Sequence, residues 1–300
     1  MKMNPDKIKS KAIQVIFKTL LFLLLFGFCF LILQPFVLKL MSAIKSPIDI
    51  NDKTVGLIPK HFSLYYFELA ISRMDLVKST LVSLSLALIV SFSQIFVCTI
   101  TAYALARLKF KGRTLVFVCV IFVLLVPPQA YSVSMYLNFR FFTVFHFNLI
   151  NNPLSIFLLS ILGVGFKSGL YIYLLRNYFI NLPRELENAA FVDGATPVRS
   201  FFSIILPNAT TMIATVFLFS FCWQWTDTFY SDLLFPKLQT FNKVISAIQV
   251  FSTDKGFYDS YATTIAQNAA CIIIMIPIVI IFLGCQKFLI KSIATSGLAN

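Results

Sequence analysis

Charged side chains, and acidic ones above all, are scarce in this sequence. Asp, Glu, Lys and Arg make up 12% of its 300 residues and 58% are hydrophobic, whereas a soluble domain has roughly 25% charged residues. Several nearly uncharged runs also exceed the roughly 20 residues that a helix needs to cross the hydrocarbon of a bilayer. These proportions exclude a soluble fold and predict a polytopic membrane protein.

Histidine and paired cysteines are also rare. The only two histidines are His61 and His146, and none of the six cysteines belongs to a Cys-x-x-Cys pair. All six cysteines lie in or at the edge of apolar runs, which is typical of small apolar packing residues. We therefore expect no metal site and no resident cofactor in this chain.

A phosphate-binding loop of the type Gly-x-x-x-x-Gly-Lys-Ser/Thr is missing from the sequence. The nearest imitation, residues 163–168, has the wrong spacing and lies within an apolar run. The sequence therefore predicts that the chain is not an enzyme that hydrolyses ATP, and that any ATP-driven step would need a partner.

Basic residues outnumber acidic ones, with 25 Lys and Arg against 12 Asp and Glu. They flank apolar runs and form no stripe with interleaved aromatic residues, so they indicate orientation in a membrane and disfavour binding of nucleic acid. Several of them crowd the short stretch 107–113 between two apolar runs. The positive-inside rule places this stretch inside, which predicts a multi-pass protein of the cell membrane with both termini in the cytoplasm.

Six transmembrane helices are predicted, because a helix satisfies all of its backbone groups within lipid. Their ranges are 13–38, 79–105, 115–135, 153–175, 208–229 and 261–282. The first follows a lysine-rich N-terminus and looks like a signal peptide, but its apolar run is too long for one and is expected to be retained. The predicted fold class is therefore an all-α integral membrane protein.

Prolines interrupt two of these helices. Pro127 and Pro128 lie in the third and Pro277 lies in the sixth, and each proline removes a backbone donor. Such breaks persist where protein or a water-filled cavity accepts the freed carbonyls. A translocation pathway and a kink held by neighbouring helices both fit this pattern.

A charged segment, residues 182–207, separates the fourth and fifth apolar runs. Pro183 suits the first position of a helix, and Glu185 and Glu187 would lie in the first turn, where negative charge is favourable. A short helix is therefore predicted to begin here, on the cytoplasmic side.

A second helix is predicted directly after the first. The pair Asp193-Gly194 would end the first helix, because glycine adopts a left-handed conformation without strain. Thr196 would then cap a helix that Pro197 opens and Pro207 closes. This helix-turn-helix, too short to have a core of its own, predicts either a docking element for a partner or a packed inside loop.

The segment resembles the EAA loop of binding-protein-dependent ABC importer permeases, whose pattern is Glu-Ala-Ala, three residues, Gly, nine residues and Ile-x-Leu-Pro. The matching residues are Ala189, Ala190, Gly194, Ile204, Leu206 and Pro207. Asn188 stands where that family has Glu, and Glu185 and Glu187 precede it. The resemblance implies that these residues and Asp193 couple the chain to an ATPase, through Glu187 or through a weaker amide hydrogen bond of Asn188.

Other blocks resemble the carbohydrate importer permeases of the MalG type. They are residues 102–107, 110–113, 127–130, 175–179 and 225–227. The resemblance implies a MetI-like permease domain over 79–290, preceded by a tail, helix and outer loop (1–78) and followed by a cytoplasmic tail (291–300). It also implies a second homologous permease, a cytoplasmic ATPase dimer that binds ATP and Mg, an extracellular solute-binding lipoprotein and a carbohydrate substrate.

Aromatic and amide side chains are the groups that a sugar site would use. The candidates for a substrate pathway are Gln129, Lys167, Trp223, Trp225, Asp227, Gln267 and Asn268. Lys167 is the one charge well inside a predicted span, and such a charge is a functional candidate by default. The tryptophans also suit an interfacial aromatic belt.

Three other functions are alternatives to a carbohydrate importer. An ABC permease for another small solute fits the same motifs. An ion-coupled secondary transporter should have paired acids within its spans, and a membrane-embedded enzyme should have a cluster of carboxylates or histidines at the interface. The sequence predicts neither feature.

Overall fold

The structure of the protein is a computed structural model that describes residues 5–52, 54–142, 148–251 and 259–297. In these ranges the chain is almost entirely helical and contains no strand, which confirms the predicted all-α class. The α-helices are α1 Pro5–Ala43, α2 Pro47–Asn51, α3 Tyr65–Met74, α4 Leu76–Arg107, α5 Arg113–Leu125, α6 Ser132–Arg140, α7 Leu154–Ile161, α8 Ser168–Asn181, α9 Glu185–Val192, α10 Pro197–Ser200, α11 Leu206–Asn208, α12 Thr210–Trp225, α13 Phe229–Leu234, α14 Phe241–Ala247 and α15 Ser260–Gly297. A 3₁₀ turn, Pro128–Tyr131, precedes α6, and a π-helical turn, Phe201–Ile205, joins α10 to α11.

Three helices, α1, α4 and α15, are long and apolar enough to cross a membrane. Two bent pairs could each form one further span, which makes up to five among the described residues. The first pair joins α5 to Pro128–Arg140 with a bend of 93°, and the second joins Pro197–Asn208 to α12 with a bend of 75°. The predicted first, second and sixth helices are thus continuous, whereas the predicted number of six spans is not reached among the described residues.

The predicted helix 115–135 is interrupted at its double proline. Helix α5 ends at Leu125, and Pro127 adopts an extended conformation with φ −68° and ψ 135°. Neither proline can donate a backbone hydrogen bond, and each restricts the residue before it to extended conformations. The chain therefore turns sharply here and resumes as a 3₁₀ turn at Pro128.

The predicted helix 153–175 is also interrupted. Helix α7 ends where Gly163 takes a left-handed φ of 73°, and its final turn is closed by a hydrogen bond from the Val164 amide to the Leu159 carbonyl (3.1 Å). Lys167 is left-handed as well (φ 61°) and directly precedes α8. Hydropathy reports the polarity of side chains and not the backbone angles, so the apolar run concealed this break.

The described residues form two compact units. The first comprises those of Met1–Arg73 and Ile248–Ile273, and the second those of Met74–Ala247 and Ile274–Asn300. In the second unit, one buried cluster gathers Tyr103 of α4, Tyr171 and Phe179 of α8, and Ile205 and Val216. This cluster connects the charged segment 182–207 to the apolar helices.

Gly169 of α8 packs directly against α5. A Cβ atom at this position would stand 2.8 Å from the carbonyl oxygen of Val120 and 3.1 Å from Cβ of Leu124. Because a backbone oxygen cannot move aside alone, Gly169→Ala is expected to separate the helices and to destabilise the protein by about 1–3 kcal/mol. Thermal unfolding of the detergent-purified protein measures the effect.

Gly284→Ala is the matched control for this substitution. Gly284 also lies within a helix, α15, but a Cβ atom there would meet no neighbouring atom within 4 Å. The same substitution should leave the midpoint of unfolding unchanged or raise it slightly, because alanine favours helix. Equal losses in the two variants would contradict the close packing at Gly169.

Candidate functional site

The charged segment forms the two helices that the sequence predicted. Helix α9 ends at Val192, and Gly194 takes a left-handed φ of 77°. The amide of Gly194 donates to the Phe191 carbonyl (3.1 Å) and the amide of Ala195 donates to the Ala190 carbonyl (2.9 Å). Glycine is the residue that adopts this conformation with least strain, so Gly194 defines the turn.

The second helix begins at Pro197. Thr196 precedes it as the N-cap, and its hydroxyl oxygen accepts a hydrogen bond from the Arg199 amide (3.3 Å). Before Pro207 the helix widens into the π-helical turn, because proline lacks a backbone donor and its ring would clash with a carbonyl in a regular α-helix. The side-chain amide of Asn208 donates to the Ile204 carbonyl (2.8 Å), and the segment ends one residue after the predicted Pro207.

One face of this helix-turn-helix is exposed and mixes apolar with polar groups. Val192 at the end of α9 is 87% exposed and Val198 in α10 is 66% exposed. Asn188 and Asp193 are exposed as well. Exposed apolar side chains grouped with polar ones are typical of a surface that binds another protein.

The opposite face is held against α4 by a buried ion pair. Nε of Arg107 lies 3.3 Å from Oε2 of Glu187, and their side chains are only 5% and 8% exposed. The Tyr103 hydroxyl donates to Oε1 of Glu187 (2.9 Å), and Nη2 of Arg107 donates to the carbonyl of Leu182 (2.6 Å). We call Tyr103, Arg107 and Glu187 the buried triad.

The buried triad bears on whether Glu187 or Asn188 would contact a partner ATPase. Glu187 points inward, with both carboxylate oxygens engaged by α4. The polar side chains of α9 that the structure leaves exposed are Glu185 and Asn188. Ala189 is also exposed, while Ala190 is buried. Any polar contact that a partner makes with this end of α9 would therefore use Glu185 or Asn188 and not Glu187.

A cavity of about 310 Å³ opens where the two interrupted helices meet. Its walls include Pro127, Pro128 and Gln129 from the first break and Lys167 from the second, together with Tyr230 of α13. The ammonium of Lys167 lies 5.1 Å from the ring centroid of Trp223 and 5.5 Å from that of Phe166. Two predicted pathway residues, Gln129 and Lys167, thus line one cavity, and a third, Trp223, contacts Lys167.

Gln94 in the middle of α4 holds the second break in place. Its buried amide donates to the carbonyl of Phe166 (2.8 Å) and to the hydroxyl of Ser168 (3.1 Å). Its oxygen accepts a hydrogen bond from Ser220 of α12. Gln94 was not among the candidates predicted from the sequence, although a lone glutamine in an apolar run was a signal that could have identified it.

The family of the chain follows from comparison with known proteins. Residues 94–295 match the model of the family described as binding-protein-dependent transport system inner membrane component, and this match covers more than half of the chain. The chain belongs to this family. Membership confirms the prediction of an ABC importer permease subunit, a multi-pass membrane protein that does not itself hydrolyse ATP.

Two relatives of known name are similar in sequence to this permease. It is 29% identical over 239 residues to the alpha-glucoside transport system permease protein AglG of Rhizobium meliloti (strain 1021), covering 78% of this chain and 60% of AglG. It is 24% identical over 289 residues to the maltose/maltodextrin transport system permease protein MalG of Photorhabdus laumondii, covering 92% of this chain and 93% of MalG.

The structural match concerns the fold. The permease matches the crystal structure of a bacterial ABC transporter involved in the import of the acidic polysaccharide alginate, with a TM-score of 0.70 and 21% sequence identity. The match covers 96% of this chain and 98% of the other. The two proteins thus share a fold.

Two further pathway candidates have structural contacts in the permease. Nε1 of the buried Trp225 donates to the Ile274 carbonyl (3.3 Å). The Asp227 carboxylate accepts from the amides of Tyr230 (3.2 Å) and Ser231 (2.9 Å), at the start of α13. Both side chains therefore stabilise the end of α12 and the turn that follows it.

The last two candidates belong to the first unit of the permease. Gln267 donates to the Ile248 carbonyl (3.3 Å) and Asn268 donates to the Ser42 hydroxyl (3.3 Å).

Of the two histidines, His146 lies outside the described residues. Within those residues, no group of three or more His, Cys, Asp or Glu could hold a metal ion.

Proposed function

We propose that this permease translocates a carbohydrate and is driven by a separate ATPase through residues 182–207. The named substrates of its relatives AglG and MalG, alpha-glucosides and maltodextrins, support the substrate class. The observation that carries the coupling role is the two-faced helix-turn-helix, with one face exposed and the other joined to α4 by the buried triad.

The complete importer would contain several other proteins. We infer a second homologous permease, a cytoplasmic ATPase dimer that binds ATP and Mg, and an extracellular solute-binding lipoprotein that delivers the substrate. Both termini would be cytoplasmic, since the basic stretch 107–113 joins α4 to α5 on the side of the coupling segment. The permease domain would extend over 79–290, between the N-terminal region 1–78 and the tail 291–300.

The coupling segment can transmit a movement to the second break because α4 contacts both of them. A partner that binds the exposed face of α9 and displaces this helix also displaces Arg107 at the end of α4, because Arg107 is paired with Glu187. Helix α4 in turn holds the break before α8 through Gln94. ATP drives such a change only if the ATPase binds it with different affinity in the two states of the transporter.

An ion-coupled mechanism is the second candidate, and uptake measurements separate the two. We expect reconstituted importer to take up radiolabelled oligosaccharides, such as maltotriose, raffinose or trigalacturonate, only with ATP inside the vesicles. Vanadate should inhibit this uptake and ionophores should not. Uptake that ionophores abolish and vanadate spares would replace the ABC mechanism by an ion-coupled one.

Gly194→Trp tests the coupling segment directly. The substitution adds strain at a left-handed residue and places a large ring beside the exposed face, where a Cβ atom meets no neighbour within 4 Å. We expect the variant to insert in the membrane normally, to lose more than about nine tenths of uptake, and to leave ATP hydrolysis unresponsive to substrate.

Gly112→Trp is the matched control. Gly112 also has a left-handed φ, 85°, and open space around its Cβ position, but it precedes α5 outside the coupling segment. This variant carries the same strain and should keep substrate-stimulated ATP hydrolysis. Normal uptake by Gly194→Trp, or equal loss in both variants, would count against the proposed role.

A further inference from the structure

Of the residues that the structure describes, Lys167 is the only one with a charged side chain that lines the 310 Å³ cavity at the two helix breaks. Among the described residues, no carboxylate lies within ion-pair distance of its ammonium, whose nearest charge-stabilising neighbours are the rings of Phe166 and Trp223. Aromatic faces attract a cation only weakly compared with a carboxylate. A positive charge thus faces this cavity without an anionic partner from the part of the permease that the structure describes.

The depth of Lys167 in the membrane follows from the lengths of α5 and α8. Helix α5 has 13 residues and α8 has 14, so each break lies about 20 Å along the helix axis from the coupling-segment side. That distance is about two thirds of a hydrocarbon core about 30 Å thick. A charge at such a depth is costly, and it is typical of a substrate pathway.

The remaining walls of the cavity suit a sugar ring. Tyr131, Phe166 and Tyr230 supply aromatic surface and Gln129 supplies an amide. Aromatic faces cover the apolar side of a pyranose, and an amide can donate to and accept from its hydroxyls. A cavity of this size is within the range that small ligands occupy.

We infer that this cavity binds a sugar unit that carries a negative charge, such as a uronate, with its carboxylate paired to Lys167. The inference rests on the proposed function, because it specifies the class of carbohydrate that the permease translocates. Lys167 selects the acid over the neutral sugar, since the ion pair forms where few water molecules compete for either charge.

The test uses the assembled importer in nanodiscs without its binding protein, so that selection by that protein does not enter. The probes are glucuronate-, galacturonate- and mannuronate-containing disaccharides, each compared with its own methyl ester, which removes the charge and keeps the sugar. Fluorescence that responds in the wild type and not in Trp223→Phe reports binding next to Lys167, because the two side chains are in contact.

We expect at least one acid to bind about tenfold or more tightly than its ester, a difference of about 1.4 kcal/mol. Lys167→Gln should reduce that ratio to about one, and Lys167→Arg should preserve most of it. Lys109→Gln removes the same charge from an exposed position and should leave the ratio unchanged. Co-purification of the partner subunits shows that each variant assembles.

Two results would overturn the inference. The first is equal affinity of the wild type for every acid and its ester, which includes the case in which a carboxylate of the partner permease neutralises Lys167. The second is an unchanged preference in Lys167→Gln. Either result leaves the proposed function intact if uptake still requires ATP, whereas uptake that is independent of ATP would refute the proposed function itself.

Discussion

Glu187→Ala is expected to abolish ATP-driven uptake and to destabilise the junction between the coupling segment and α4. The Arg107 side chain is only 5% exposed, and the substitution removes its carboxylate partner. It also removes the acceptor of the Tyr103 hydroxyl. Removing one partner of a buried ion pair typically costs about 3–5 kcal/mol. Uptake into proteoliposomes and thermal unfolding of the purified permease measure the two effects.

The neighbouring substitution, Asn188→Ala, separates the inner from the outer face of α9. The side chain of Asn188 is exposed and makes no hydrogen bond within the described residues, and its backbone amide, which donates to the Arg184 carbonyl (3.0 Å), is kept in alanine. The substitution should therefore leave the unfolding temperature unchanged. It should reduce only the coupling to the ATPase, seen as lower uptake at equal ATP hydrolysis. Lost stability in Asn188→Ala with unchanged stability in Glu187→Ala would reverse our assignment of the two faces.

A double substitution tests whether the charge pair itself is the cause. Arg107→Leu combined with Glu187→Leu removes both charges, and apolar pairs often replace buried ion pairs with little loss of stability. We expect the double variant to be more stable than Glu187→Ala. If it is equally unstable, packing around the buried triad and not the unpaired guanidinium explains the loss.

The shape of the coupling segment could be predicted from the sequence, but the direction of its side chains could not. Pro197, Thr196 and Gly194 act on the backbone within their own turn, so local rules were sufficient for both helices. The inward direction of Glu187 depends on Tyr103 and Arg107 in α4, which are remote in sequence. A single sequence contains no signal that pairs these positions.

The interruptions of the apolar helices show a second limit of sequence reasoning. Pro127 and Pro128 predicted the first break because proline acts on the backbone directly. The second break depends on Gly163 and on Lys167 in a left-handed conformation, within a run whose hydropathy is that of a continuous helix. Lys167 was therefore predicted as a charge inside a span, and the structure places it at the start of α8.

Gln94→Leu is expected to disturb the second break and to impair transport strongly. The substitution keeps a similar side-chain volume but removes the donor to the Phe166 carbonyl and the acceptor for the Ser220 hydroxyl. A buried polar group left without a partner costs about 1–3 kcal/mol. Because serine can donate to its own helix instead, we assign most of the loss to the Phe166 carbonyl and expect about 2 kcal/mol overall.

The functional effect of Gln94→Leu should exceed its effect on stability. Phe166 and Lys167 form one wall of the cavity, so a released Phe166 carbonyl also displaces the charge that faces the cavity. Gln14→Leu, the same substitution at an exposed position of α1, controls for added hydrophobicity. We expect Gln94→Leu to lose most uptake at a temperature where it remains folded and Gln14→Leu to retain it. Wild-type uptake by Gln94→Leu would show that the break keeps its conformation without this side chain.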